Sequence, residues 1–202
     1  MKLITIILTL SVAFLSSCSN KLNRDKAKEM IEEGYKLPTA RTKTWQVGIV
    51  RYLGVNSAYH IQQKQKYIDE GLIEFKFLGN GGCFVNSCIK FSLNFTDKGN
   101  KYVLSSKPHI SEAEVKETEV KYADMVFGEI TGIREVVEGK EAIVGYTLKF
   151  DNLTPFGEVA NAYARADNKE EPFGTGKIIS KNARFIKYDD GWRLSSLNYH
   201  SF

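Results

Sequence analysis

The chain has 202 residues, of which 43% are hydrophobic and 26% charged, an ordinary composition for a globular protein that excludes a low-complexity chain. Its formal net charge of +4 is unevenly distributed, since residues 18–108 carry +7 and residues 109–202 carry −4. The length suffices for one large domain or two small ones, and twelve Phe and ten Tyr against three Met favour a β-rich interior.

The first residues are typical of an export signal. Lys2 precedes an apolar run, Leu3 to Leu15, which is shorter than the ~20 residues that a membrane-spanning helix needs. The segment Leu15-Ser16-Ser17-Cys18 resembles the lipobox of bacterial lipoproteins. This resemblance implies that residues 1–17 are a signal peptide, and that the Cys18 thiol is acylated with a fatty acid such as palmitate.

The expected partner of this segment is membrane lipid, and the expected location is the bacterial cell envelope. Two or three acyl chains on Cys18 would anchor the protein stably, because each buried methylene contributes ~0.8 kcal/mol. Ser19 rather than Asp follows the cysteine, which in Gram-negative lipoproteins implies the outer membrane. The alternative is a plain signal peptide and a soluble periplasmic protein. The basic amino half either attracts anionic headgroups or is an ordinary solvated surface.

Cys83 and Cys88 are the other two cysteines, and they flank a short loop between two expected strands. Because exported proteins meet an oxidising environment, we expect a Cys83–Cys88 disulfide. The alternatives are that the loop holds the two thiols apart, or that they form a metal or redox pair. Their spacing is not Cys-x-x-Cys, and no histidine lies close in sequence, which argues against a zinc site.

The amino half reads in order as helix, strand, helix and hairpin. Residues 22–36 are expected to form a helix capped by Asn23, and Thr44 to Leu53 a strand in which Trp45, Val47 and Ile49 alternate. A second helix is expected from Ser57 to Glu70, followed by two alternating strands on either side of the cysteine loop.

Residues 57–104 resemble the back half of a winged-helix domain. The resemblance rests on Tyr67-Ile68-Asp69-Glu70-Gly71-Leu72-Ile73, a hairpin, and then the segment from Leu93 to Tyr102. It implies a winged-helix-like unit over residues 18–104, although a strand stands where the middle helix should be. It also implies that Gln62, Gln63, Lys64 and Lys66 could face nucleic acid. We regard DNA binding as disfavoured, because an exported, anchored domain does not meet the chromosome.

Residues 105–114 include Ser105, Ser106, Pro108 and Ser111 and are expected to link the two halves. Residues 115–202 are expected to form an antiparallel β-rich unit with one helix, which Thr154 caps ahead of Pro155. Asp189-Asp190-Gly191 indicates the turn of the last hairpin. The expected fold class is therefore α+β, with a winged-helix-like unit followed by a small antiparallel sheet.

The sequence offers no catalytic, cofactor-binding or metal-binding motif. His60, His109 and His200 are scattered, and the phosphate-loop-like Phe173-Gly174-Thr175-Gly176-Lys177 lacks the required first glycine and the following Ser or Thr. We therefore expect a non-enzymatic envelope lipoprotein that binds or scaffolds an unknown envelope protein or ligand. The alternatives are an envelope enzyme whose site is assembled from scattered residues and, less favoured, a DNA-binding protein.

Overall fold

The computed structural model describes residues 21–53, 57–82 and 87–198. Its helices are α1 (Arg24–Tyr35), α2 (Ser57–Asp69), α3 (Asp97–Asn100) and α4 (Pro155–Ala166). Its strands are β1 (Thr39–Leu53), β2 (Ile73–Gly82), β3 (Ser87–Phe95), β4 (Val103–Pro108), β5 (Val115–Val137), β6 (Glu141–Asp151), β7 (Ile178–Tyr188) and β8 (Gly191–Ser196).

These strands form a single antiparallel sheet. Its order is β2-β3-β1-β5-β6-β7-β8, and β4 also pairs with β5. β5 is the longest strand, with 23 residues. Its first part pairs with β1 and β4, and its later part pairs with β6, so β5 connects the two halves of the chain.

The expectation of a winged-helix-like unit over residues 18–104 is wrong. Strands make up 53% of the structure and helices 23%, and β1 lies where a winged helix requires its middle helix. Because β1 pairs with β3 on one side and β5 on the other, the amino half belongs to the same large sheet as the carboxy half. Within the segment expected to be a linker, residues up to Pro108 belong to β4 and pair with β5.

β1 changes its partner strand at Gly48. Residues 39–48 pair with β5, and residues 48–53 pair with β3. Gly48 has φ of 107°, and a Cβ at this position would lie 2.1 Å from the carbonyl oxygen of Glu114. The irregularity interrupts the expected alternation, so that Val47 and Val50 are the buried pair. A glycine here therefore lets one strand serve two neighbours.

α1 confirms the helix expected near the amino end. The side chain of Asn23 accepts a hydrogen bond from the Lys26 N–H at 2.8 Å, which satisfies one of the unpaired donors of the first turn. Ala27 and Ile31 are fully buried in a core shared with β5, β6, β7 and β8. This helix therefore covers the carboxy part of the sheet.

A second core holds α2 and α4 against β1 and β5. Its centre is the fully buried ring of Phe156, at the start of α4. Five aromatic rings lie 5.8–6.2 Å from it, centroid to centroid: Trp45, Tyr67, Phe95, Tyr102 and Tyr122. Edge-to-face and tilted contacts of this kind add about 0.5–1.5 kcal/mol per pair beyond burial. The aromatic core fixes α2 and α4 relative to the sheet, and thereby the cleft between them.

Candidate functional site

The principal cleft of the described structure lies between α2 and α4, over β1 and β5. Its volume is ≈ 1140 Å³, somewhat more than a typical small-molecule pocket. Aromatic rings, lysines and glutamines predominate among the side chains that line it. These groups favour the binding of a polar ligand that contains rings.

Three neighbouring aromatic side chains form the floor. The indole Nε1 of Trp45 donates to the hydroxyl of Tyr122 at 2.9 Å. The ring of Tyr67 meets that of Trp45 edge-on, with centroids 5.0 Å apart. Burial raises the pKa of Tyr67, and so does its neighbour Tyr122. The floor is therefore rigid and neutral. Tyr67 and Tyr122 are buried, and Trp45 is the floor residue with the most exposed surface.

Tyr163 of α4 holds α2 in place across the cleft. Its hydroxyl accepts a hydrogen bond from the backbone N–H of Lys66 at 3.0 Å and donates to the backbone carbonyl of Gln62 at 2.9 Å. These two backbone groups stand four residues apart on α2, one helical turn from each other. The Tyr163 hydroxyl contacts both, so that one side chain of α4 sets the position of the α2 turn that carries Lys64.

Lys43 and Lys64 bring positive charge to the aromatic floor, and a third lysine, Lys66, lies over the ring of Tyr163 and donates to the backbone carbonyl of Ala162. The Nζ of Lys64 lies 5.9 Å from the ring centroid of Trp45 and 5.5 Å from that of Tyr52. The Nζ of Lys43 lies 5.3 Å from the ring of Tyr122. Both contacts are within the range of a cation–π attraction. Desolvation by the protein lowers the pKa of Lys43 and of Lys64.

The carboxylates around the cleft are engaged elsewhere. Glu117 lies 3.2 Å from the Nζ of Lys107, Asp167 lies 3.0 Å from that of Lys169, and Asp69 accepts from Gln65 at 2.7 Å. Among the residues that the structure describes, no carboxylate forms an ion pair with Lys43 or Lys64. The two lysines are therefore available to an anionic group of a ligand.

A second concavity lies beside the β5–β6 and β7–β8 turns and contains Arg184 and Glu141. The Arg184 guanidinium donates to the two carboxylate oxygens at 2.8 and 2.9 Å. This bidentate pair is structural, since it joins β6 to β7. Among the residues described, no aromatic ring but that of Tyr188 lines this concavity, so the first cleft is the better candidate for a ligand that contains rings.

The residues singled out from the sequence fall at several places. Cys18, Cys83 and His200 lie outside the described residues, so the acylation and the Cys83–Cys88 bond stay predictions. Cys88 is buried on β3, opposite Gly81. Within the described segments, no helix combines the length and apolar character that crossing a bilayer requires. In the same segments, no three His, Cys, Asp or Glu side chains gather as a metal site would require.

His60 and His109 lie apart: His60 lines the cleft, and His109 lies against two residues that line it. The His60 ring stacks on Tyr52 with centroids 4.1 Å apart. The Nε2 of His109 lies 3.4 Å from the side-chain nitrogen of Gln46 and 3.8 Å from a carboxylate oxygen of Glu117. Both rings therefore support the walls of the cleft.

Sequence reasoning identified one wall of the cleft and missed the rest. Gln62, Gln63, Lys64 and Lys66, which the winged-helix resemblance assigned to nucleic acid, line the cleft from α2. Lys43, Trp45, Tyr52, Tyr122 and Tyr163 come from β1, β5 and α4 and form no local motif. The one sequence signal was the run of Gln and Lys on α2.

Searches against protein-family models, curated proteins and solved structures found no match to this chain.

Proposed function

We propose that this protein is a lipid-anchored protein of the bacterial cell envelope that binds an anionic ligand in the cleft between α2 and α4. The observation that carries the binding role is the placement of Lys43 and Lys64 against aromatic rings, with no carboxylate partner among the residues that the structure describes. An anion that enters this cleft offsets the desolvation of both ammonium groups, and charge-assisted hydrogen bonds are about twice as strong as neutral ones.

The groups of the cleft are suited to binding. Ammonium, amide and aromatic side chains recognise charge, hydroxyl groups and ring faces. The rigid floor of Trp45, Tyr67 and Tyr122 supports a preformed site, since its hydroxyl and indole groups are already satisfied. A preformed site loses little conformational entropy when the ligand binds.

The anchor is proposed from the lipobox-like segment that ends at Cys18. The test is expression of the full chain and of Cys18→Ser in a bacterium, followed by fractionation and mass spectrometry of the mature amino terminus. The proposal expects an acylated Cys18 in the membrane fraction, and no acylation in the variant. An intact leader on a cytoplasmic product contradicts it.

The binding role is tested with simple anions on the full-length protein, purified in a polyoxyethylene detergent that carries no sugar. Benzoate and phenyl phosphate are expected to raise the melting temperature, because a ligand that binds only the folded state stabilises it. Benzamide, which has the ring without the charge, is the control. Lys64→Gln should weaken the effect, and Lys76→Gln on the exposed part of β2 should not. Equal shifts with benzamide, or an unchanged Lys64→Gln response, refute the binding role.

A further inference from the structure

The open face of the cleft offers rings next to positive charge. Tyr52 and Trp45 both lie under the Nζ of Lys64, and Tyr59, at the rim, is 59% exposed. An anionic group that pairs with Lys64 therefore lies beside two aromatic rings. The C–H face of a sugar ring packs on such surfaces, because the π face of an aromatic ring is negative and C–H groups are slightly positive.

Side-chain amides surround these rings. Gln46 on β1 and Gln62 and Gln63 on α2 line the same cleft and are exposed. Each amide has two donors and an acceptor oxygen. Sugar hydroxyl groups are also both donors and acceptors, so amides match a polyhydroxylated ligand better than they match a ligand that offers acceptors alone, such as a phosphate.

The charges at the rim argue against a densely charged polyanion. Asp69, Asp167 and Glu117 line the cleft together with the lysines. Single-stranded nucleic acid also stacks on aromatic rings, but its recognition uses a continuously positive groove that follows the backbone. The mixed rim of this cleft suits a ligand with few, widely spaced negative charges. The volume of ≈ 1140 Å³ leaves room for more than one ring.

We propose that the ligand is an acidic oligosaccharide, with sugar rings packed on Trp45 and Tyr59 and carboxylates paired with Lys43 and Lys64. This inference rests on the proposed binding role and specifies its ligand class. The amide groups of α2 and β1 then bind the sugar hydroxyl groups.

The test is calorimetric titration of the full-length protein, in the same sugar-free detergent. The acidic probes are tetragalacturonate and a hyaluronan tetrasaccharide, in which acidic and neutral rings alternate. The matched neutral probe is the methyl ester of tetragalacturonate, which keeps the rings and removes the charges. A short oligothymidylate tests the nucleic-acid alternative. The variants are Lys64→Gln, Lys43→Gln and, as the remote control, Lys76→Gln, each with its melting temperature measured to confirm folding.

At least one acidic tetrasaccharide is expected to bind, and the methyl ester about tenfold or more weakly than tetragalacturonate if that is the probe bound. Lys64→Gln and Lys43→Gln should each raise the Kd of the acidic sugar about tenfold, and Lys76→Gln should leave it unchanged. If Lys64→Gln does not fold, the exposed Lys43 supplies the same test.

Three results overturn the inference while leaving the binding role intact. They are equal binding of acid and ester, tighter binding of oligothymidylate than of either acidic sugar, and no binding of any sugar while benzoate or phenyl phosphate still stabilises the protein. If the simple anions also fail, the binding role and the ligand class are both wrong.

Discussion

The contact between the first turn of α4 and β5 gives a sharp prediction for Gly157→Ala. A Cβ at Gly157 would lie 2.4 Å from the backbone carbonyl oxygen of Tyr122 and 2.4 Å from Cδ1 of Leu153. The leucine can rotate away, but the carbonyl cannot move easily, because it already accepts the Thr154 N–H at 2.9 Å. β5 is also held between two neighbouring strands.

The expected magnitude follows from opposing effects. Alanine is a better helix former than glycine by up to about 1 kcal/mol, and burial of one more methyl group contributes about 0.8 kcal/mol. Overpacking against a fixed backbone typically costs about 1–3 kcal/mol. A Cβ–oxygen separation of 2.4 Å is far inside contact distance, so we expect the upper part of that range to prevail. The net prediction is a loss of about 1 kcal/mol in the free energy of unfolding.

The assay is equilibrium unfolding in urea, with the midpoint and the slope compared to those of the unaltered protein. Gly132→Ala on β5 is the matched control, since a Cβ there meets nothing within 4 Å. The control is expected to be neutral or to stabilise by up to about 1 kcal/mol, because it reduces the entropy of the unfolded chain. If the urea midpoint of Gly157→Ala equals or exceeds that of the unaltered protein, the first turn of α4 does not pack tightly against the backbone of β5, and the reasoning is wrong.

Three further predictions test the same framework. Thr154→Ala should lower the free energy of unfolding by about 1 kcal/mol in urea titrations, because this side chain caps α4. Thr154→Ser keeps a capping hydroxyl and should keep most of the stability of the unaltered protein. Above the unfolded phenol pKa of about 10, the stability of the unaltered protein should fall as pH rises, because burial raises the folded pKa of Tyr67 and the folded state then binds more protons. Tyr67→Phe should make that fall shallower in unfolding experiments across this range, and an unchanged slope would contradict the assignment. Alkylation without reduction, followed by mass spectrometry, should leave Cys83 and Cys88 unmodified as a disulfide, whereas two alkyl groups would disprove the bond.

Local signals in the sequence predicted the elements well. Asn23 and Thr154 begin helices as their capping side chains indicate, and Asp189-Asp190-Gly191 turns the last hairpin. These signals depend on a few adjacent residues and on hydrogen bonds that close within one turn. They can therefore be recognised in the sequence without knowledge of the rest of the fold.

The pairing of distant strands could not be predicted from such local signals. β1 pairs with β5, more than sixty residues further along the chain, and β4 forms from the first part of a segment whose composition suggests a linker. Strand periodicity predicts a face but no partner. Gly48 adds a further difficulty, because the irregularity there breaks the alternation on which the interpretation of β1 relied. The winged-helix resemblance over residues 57–104 then suggested a fold that is incompatible with the pairing of β1 with β3 and β5.

The winged-helix resemblance was wrong about the fold, but the Gln and Lys residues that it singled out on α2 do line the candidate site. A winged helix that binds DNA and the acidic-sugar site proposed here would both use amides and lysines, since both ligands combine negative charge with hydrogen-bonding groups. The run from Gln62 to Lys66 is therefore compatible with either ligand. The fold decides which other residues join that run. Because this helix lies beside the rings of β1 and against Tyr163 of α4, rather than on an open basic surface, the same residues face a bounded cleft. A discrete ligand fits that geometry better than a duplex does.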